Sequence, residues 1–325
     1  MSRSDIINEI LREYELKQGI AIEKKNKETA KAYKECPELE VADRKINELG
    51  LNSMRKILSD KENAVKLKNE FEKELEQLNS KRIDLIKKYG INPNYNMPVY
   101  ECCKCKDTGF LESGIKCDCY EKKIRDKLIE KSQMGNMLTT DDFNNFKLDY
   151  YSNEKVDGIS PRETIKEALE CSKQFCEKFD DEKFNLYFYG NTGLGKTFLS
   201  SIIADNVINI GKTVKYARAT SIFSLYEEYK FNDYSLKESV EELYSCDLLV
   251  IDDLGTECTN RNDVSFLFDL INDRIINGKR VIINTNLDIA EFSKLYTVRL
   301  TSRIYENFKI FCFKGDDIRI KKLFE

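Results

Sequence analysis

The sequence contains no histidine, which removes imidazole bases and His-containing metal sites from the chemistry open to it. It has no apolar run approaching the roughly 20 residues that a membrane-spanning helix needs. The first residues, MSRSDIINEILREYE, lack the apolar core of a signal peptide. A cytoplasmic protein with no membrane partner is expected. Strong charge of one sign is missing as well: the formal net charge is −4, so the chain is not coated in phosphate-binding basic residues, and any nucleic-acid contact must be local. No internal repeat or low-complexity tract is present. What remains is 325 residues, 41% hydrophobic and 34% charged: enough for two modules with real cores, with surplus charge that suits long solvated helices.

Eleven cysteines are abundant for a reducing compartment, where they do not form a disulfide scaffold. Cys36, Cys171, Cys176, Cys246, Cys258 and Cys312 are scattered through helical or strand-like patterns and read as small buried hydrophobes. The other five crowd between Cys102 and Cys119. Cys102-x-x-Cys105 and Cys117-x-Cys119 offer four thiolates from two tight turns, with Gly109 and Gly114 between them. Four thiolates suit a closed, structural Zn²⁺ site. Cys103 leaves a C-x-C alternative with Cys105, and iron–sulfur ligation or a redox switch competes for the same cluster.

Residues 1 to about 90 are rich in Lys, Glu, Asn, Ile and Leu, with apolar positions at helical spacing: Ile6, Ile7, Ile10, Leu11, Tyr14, then Leu67, Phe71, Leu75, Leu78 and Leu85. The second run is predicted to start at a capping box, Ser59 and Glu62, and to stop at Gly90. Each helix carries one apolar stripe, as in a hairpin or small bundle. INPNYNMPV at 91–99 holds two of the four prolines and is predicted to be a linker. The expected division is a helical domain over 1–95, a cysteine element with a basic linker helix over 96–135, and a third domain over 136–325.

That third segment alternates strands and helices in the manner of a parallel α/β sheet. Strands are predicted at Asn185–Tyr189, Thr213–Ala217, Leu248–Ile251, Arg280–Asn284 and Lys309–Phe313, with helices beginning near Lys196, Ser221, Asp263 and Asp288. The strand NLYFY runs directly into Gly190-Asn191-Thr192-Gly193-Leu194-Gly195-Lys196-Thr197, and a helix-forming run follows. This is a P-loop in its required context. Its backbone N–H groups and the helix start cradle phosphate, Lys196 suits the β- and γ-phosphates of ATP or ADP, and Thr197 suits Mg²⁺. Asp252 and Asp253 end a second apolar run, LLVI; Asp252 suits Mg²⁺ and Asp253 the attacking water, with Glu257 nearby able to share the task. Asn284-Thr285-Asn286 ends a third strand as a γ-phosphate sensor, with Asn286 preferred over Asn284. Arg303, in RLTSRIY, and Arg319, in KGDDIRIKK, follow; an arginine delivered across a subunit boundary stabilises charge on the transferred phosphoryl group and implies self-association.

Taken together, GNTGLGKTFL, LLVIDDLG, IINTNL and SRIYE resemble the AAA+ ATPases that load the bacterial replicative helicase, the DnaC/DnaI family, over roughly residues 100–325. The resemblance implies an AAA+ P-loop fold with a central parallel sheet, preceded by a helical amino-terminal domain with a small four-cysteine zinc element. It places the sensor on Asn286, the arginine finger on Arg303 and the second sensor on Arg319. It implies ATP hydrolysis, slow without partners, a hexameric replicative helicase and single-stranded DNA as partners, and a helicase-gripping role for the amino-terminal helices. Asp253 departs from the glutamate that many AAA+ proteins carry there, one methylene longer. Tyr229, Lys230 and Phe231, in LYEEYKF, mix aromatic and basic groups suited to stacking bases and neutralising a phosphate. Two other readings share these motifs: a transposition helper ATPase and a nucleotide-binding adaptor without turnover.

Overall fold

The computed structural model describes residues 3–59, 63–134, 143–155, 158, 160–231, 234–255 and 261–321. Glu62, Glu257 and Cys258 lie outside them. The chain forms two compact units, one of residues 1–10 with 120–325, the other of residues 11–119. This division falls after Cys119 rather than in 91–99.

The 11–119 unit takes most of α1 (Arg3–Glu35) together with α2 (Pro37–Ser59) and α3 (Ala64–Tyr89). Ala32, Cys36, Leu39, Leu85, Ile86, Ile91 and Tyr95 bury their side chains together. Of the predicted capping box, Glu62 lies outside the described residues. Ser59 is the last residue of α2, where its hydroxyl donates to the Lys56 carbonyl, and α3 starts behind Asn63 without a side-chain cap. The expected stop is present, because Gly90 adopts φ 65°, the left-handed conformation that closes helices. Residues 91–99 are not a linker: Tyr95 is buried, its carbonyl accepts from Thr29 Oγ1 at 2.9 Å, and turn bonds tie Tyr95 to Asn92 and Met97 to Asn94. Asp43 gathers the buried polar groups here, accepting from Tyr33, Tyr95 and Arg82.

The larger unit is a five-stranded sheet of β1 (Asn185–Gly190), β2 (Val214–Arg218), β3 (Leu248–Leu254), β4 (Arg280–Thr285) and β5 (Phe308–Phe313), in the order β2-β3-β4-β1-β5 with every pairing parallel. Parallel strands covered on both faces read as continuous apolar runs, and LLVI of β3 and VII of β4 are wholly buried. The helices are α4 (Asp118–Ser132), α5 (Pro161–Glu177), α6 (Lys196–Asn209), α7 (Ala219–Lys230), α8 (Lys237–Ser245), α9 (Arg261–Ile276), α10 (Ile289–Leu295), α11 (Val298–Asn307) and α12 (Ile318–Lys321). Sequence marks several starts: α5 opens on a capping box of Ser160 and Glu163 with Pro161 in the first turn, and α10 on one of Asp288 and Glu291. Among the described residues no helix is long and apolar enough to cross a membrane.

Strand order fixes where ligands can go. In an open parallel sheet the crevice lies beyond the carboxyl ends of the strands, and the ends of β1, β3 and β4 carry Gly190, Asp252 and Thr285. The β3–β4 register shifts between Ile251 and Leu254, and Asp253, inside that irregularity, has φ 55°. The bulge re-aims the two acids at the point where the ladder ends.

Candidate functional site

The P-loop leaves β1 at Gly190, whose φ of 130° is outside the range of ordinary side chains; a Cβ here would also strike the Phe313 carbonyl oxygen of β5. Gly193 has φ 76°, and a Cβ on it would strike the carboxylate of Asp317, while its carbonyl accepts from Ile318 N at 2.9 Å. The segment after β5 is thereby laid directly over the loop. Gly195 then opens α6, so the unpaired N–H groups of the helix start face the loop interior.

Lys196 is buried, and its ammonium donates to the carbonyls of Gly190 at 2.6 Å and Asn191 at 2.8 Å and to Asn286 Oδ1 at 3.0 Å. Burial lowers its pKa to about 8, against the pull of Asp253 and Asp252 in the other direction. Thr197 Oγ1 stands 3.2 Å from Asp252 Oδ1. Asp252 is almost completely buried, and that burial raises its pKa. Asn284 Nδ2 donates to the same Oδ1 at 2.7 Å, Tyr216 Oη donates to Oδ2 at 3.2 Å, and Ser200 Oγ donates to Asn284 Oδ1 at 2.9 Å. A hydroxyl and a carboxylate oxygen side by side at a helix start are hard oxygen donors of the kind Mg²⁺ takes, with water completing its shell.

A cavity of about 640 Å³ opens beside these groups, with Thr192–Phe198, Asp253, Asn286, Ile318 and Arg319 on one part of its wall and Phe146, Lys147, Tyr150 and Tyr151 on another. The first set carries the P-loop backbone with Lys196, Arg319 and the carboxylate of Asp253, and the second is mainly aromatic. Such a cavity matches a nucleotide, with phosphates at one end and a flat base at the other. Tyr151 donates to the Leu194 carbonyl at 2.7 Å, and Phe146 stacks on both Tyr151 and Phe198.

The structure brings Lys196, Thr197, Asp252, Asp253, Asn286 and Arg319 to one place. It separates the two candidate asparagines by task, since Asn286 meets the lysine and Asn284 meets Asp252. Arg303 is elsewhere: it lies on the exposed face of α11, 3.5 Å from Glu306, and does not line the cavity. Tyr229 and Lys230 end α7, and Phe231 follows them with 87% of its surface exposed. Sequence reasoning missed Tyr216, Ser200 and the 146–151 wall. Only a cluster of aromatics, FKLDYY, marked the last.

In the other unit, the thiol sulfurs of Cys102, Cys105, Cys117 and Cys119 all lie within 4.8 Å of one another. Four sulfurs each about 2.3 Å from a common Zn²⁺ would stand about 3.8 Å apart, and Cys102–Cys117 is 3.8 Å and Cys105–Cys119 3.4 Å. Cys103 is exposed and outside the set. The first turn is held by Asp107, whose carboxylate accepts from the backbone N–H groups of Glu101 and Cys102, each at 2.8 Å. Backbone donation from Cys105 lowers the Cys102 thiol to about 7, while burial pushes the Cys119 thiol up to about 12. Tyr14 of α1 donates to Cys119 Sγ at 3.2 Å, and Gln18 to the Lys106 carbonyl at 3.0 Å.

A P-loop leaving β1, a carboxylate on the adjacent-but-one β3, an asparagine just beyond the end of the intervening β4 that meets the P-loop lysine, and the order β2-β3-β4-β1-β5 together define an AAA+ P-loop nucleotide-binding protein. More narrowly, the chain belongs to the family of IstB-like ATP-binding proteins, whose model matches residues 155–323. Over 138 residues it is 25% identical to the replicative helicase loader DnaC of Escherichia coli strain K12, covering 42% of this chain and 56% of that protein. Over 180 residues it is 22% identical to the DnaC of Buchnera aphidicola from Acyrthosiphon pisum, covering 55% and 68%. A solved structure of the DnaC helicase loader aligns over 53% of this chain and 98% of that one, with 23% identity and a TM-score of 0.44. The match thus spans little more than half the length of the first of these relatives.

Proposed function

We propose that this chain is an ATP-dependent loader of a replicative DNA helicase onto single-stranded DNA. The observation that carries the reading is that Lys196, Thr197, Asp252 and Asn286 gather at three strand ends while Arg303 lies on the exposed face of α11, outside the cavity. In this reading Thr197 and Asp252 hold Mg²⁺, which offsets phosphate charge, and residues 190–197 hold the phosphates. Asp253 orients the water that attacks the γ-phosphorus as the bond to ADP breaks. Asn286 and Arg319 sense the γ-phosphate, and Arg303 serves the site of a neighbouring copy. Nucleotide state then governs the grip on helicase and DNA. Tyr229, Lys230 and Phe231 meet DNA, the amino-terminal helices meet the helicase, and the four cysteines hold structural Zn²⁺. The likeness to DnaC supports the partner assignment. A nucleotide-binding adaptor without turnover is the second reading, favoured by the short carboxylate at Asp253.

The deciding experiment mixes the protein with the replicative helicase of its host on a sizing column, with and without ATP. A co-eluting complex is expected, and separate elution in both conditions would remove the loader assignment. Steady release of phosphate that disappears in Lys196→Ala would remove the adaptor.

A further inference from the structure

Asp252 is held from two sides, by Asn284 of the N-T-N strand end and by Tyr216, which no motif includes. Its Oδ1 accepts from Asn284 Nδ2 at 2.7 Å, and its Oδ2 accepts from the phenol of Tyr216 at 3.2 Å. Tyr216 stands on β2, the strand next to β3, and is only 4% exposed. Its one proton has two acceptors in reach, Asp252 Oδ2 and, at 3.5 Å, the carbonyl of Thr197. Both belong to residues that face the metal in the reading above. A core tyrosine needs only some acceptor for its hydroxyl; this one spans the end of β3 and the first turn of α6. Asn284 is in turn oriented by Ser200 Oγ, so each oxygen of the carboxylate is aimed by a side chain that is itself fixed.

We propose that Tyr216 is a positioning residue for Mg²⁺-dependent nucleotide binding: its hydroxyl fixes the plane of the Asp252 carboxylate, with Asn284 holding the opposite oxygen, so that Asp252 and Thr197 present one preformed pair of oxygens. It does not touch the nucleotide. This rests on the nucleotide and Mg²⁺ roles assigned to Thr197 and Asp252. Groups that orient metal-binding residues typically change metal affinity by about 10–100-fold when removed.

Tyr216→Phe deletes one oxygen and keeps the ring. The readout is binding of a fluorescent ADP analogue, first in EDTA and then during a Mg²⁺ titration, on the full chain. In EDTA the variant should bind as wild type does. In the titration its half-saturating Mg²⁺ concentration should rise by about tenfold or more, with saturating Mg²⁺ restoring wild-type affinity. Superimposable Mg²⁺ curves would overturn the proposal. So would equal loss of binding in EDTA and in Mg²⁺, which marks the phenol as a packing group. Asn284→Ser, which keeps a donor but shortens its reach, gives an independent arm, and an unchanged Mg²⁺ requirement in both variants rejects the positioning role. If wild type itself binds no nucleotide, or binds it with no response to Mg²⁺, the underlying site assignment fails instead.

Discussion

Lys196 is the residue on which electrostatics and ligand binding pull in opposite directions. Without nucleotide it is buried among carbonyls and one amide, and its pKa falls to about 8 from a usual value above 10. Phosphate oxygens would reverse that shift, because they favour the charged amine. The two linkages have opposite signs. Between about pH 8 and pH 10.4 the unfolded chain keeps this proton and the folded, nucleotide-free chain has lost it, so this group makes the fold more stable as pH rises. Nucleotide binding in the same window must take the proton up again. ADP affinity should therefore be flat below about pH 7.5 and fall above about pH 8, by up to about tenfold per unit. Isothermal titration across this range, in buffers of different ionisation enthalpy, reads both the slope and the proton uptake. An affinity that is level to pH 9.5 would mean that Lys196 stays charged without nucleotide.

At the scale of elements, sequence legibility followed how strongly local physics dictates each one. All five strands lie within a residue or a few of the positions expected; the central β3 and β4 were plainest because strands buried on both faces read as unbroken apolar runs, whereas the edge strands β2 and β5 carry Lys215 and Lys309. The cavity wall at 146–151 was opaque for the converse reason: its residues occupy a 3-10 turn and extended chain, with no period to detect. Ser59 misled because S-x-x-E is equally compatible with the end of one helix and the start of the next. INPNYNMPV has the composition of a linker, yet Tyr95 is driven into the core by its ring and its link to Asp43. The cysteine element was legible in which four cysteines cluster and opaque in its setting, since nothing in the spacing of Cys102 to Cys119 announces Tyr14 or Gln18 of α1. That setting yields a prediction. The purified chain should carry about one Zn²⁺, and Cys105→Ser should lose it while Cys103→Ser keeps it. Because metal affinity in a small element is folding free energy, Cys105→Ser should lower the melting temperature reported by the helical unit, whereas ADP affinity should stay within about twofold, its site lying in the other compact unit. Retention of metal by Cys105→Ser would reassign the ligands.

For the whole molecule, the question is whether one chain completes its own site. The cavity has Lys147, Lys196 and Arg319 as cations, while Arg303 sits with Glu306 on a helix whose outer face also exposes Val298 and Tyr305. An exposed ion pair three residues apart contributes little to stability, so Arg303→Ala should leave folding and ADP affinity almost unchanged. Its effect should appear in turnover, where an arginine supplied across an interface is worth about 10³-fold or more. Mixing provides the sharper test. Lys196→Ala destroys a site but still offers Arg303, and Arg303→Ala keeps the site but offers no cation. Each should be inactive alone. In an equimolar mixture that assembles at random and head to tail, about a quarter of interfaces pair an intact Lys196 with an intact Arg303, and ATP turnover should return to about that fraction of wild type under helicase-saturating conditions. Arg303 acting within its own chain would leave the mixture as inactive as its components, and full activity in Arg303→Ala alone would remove it from the chemistry altogether.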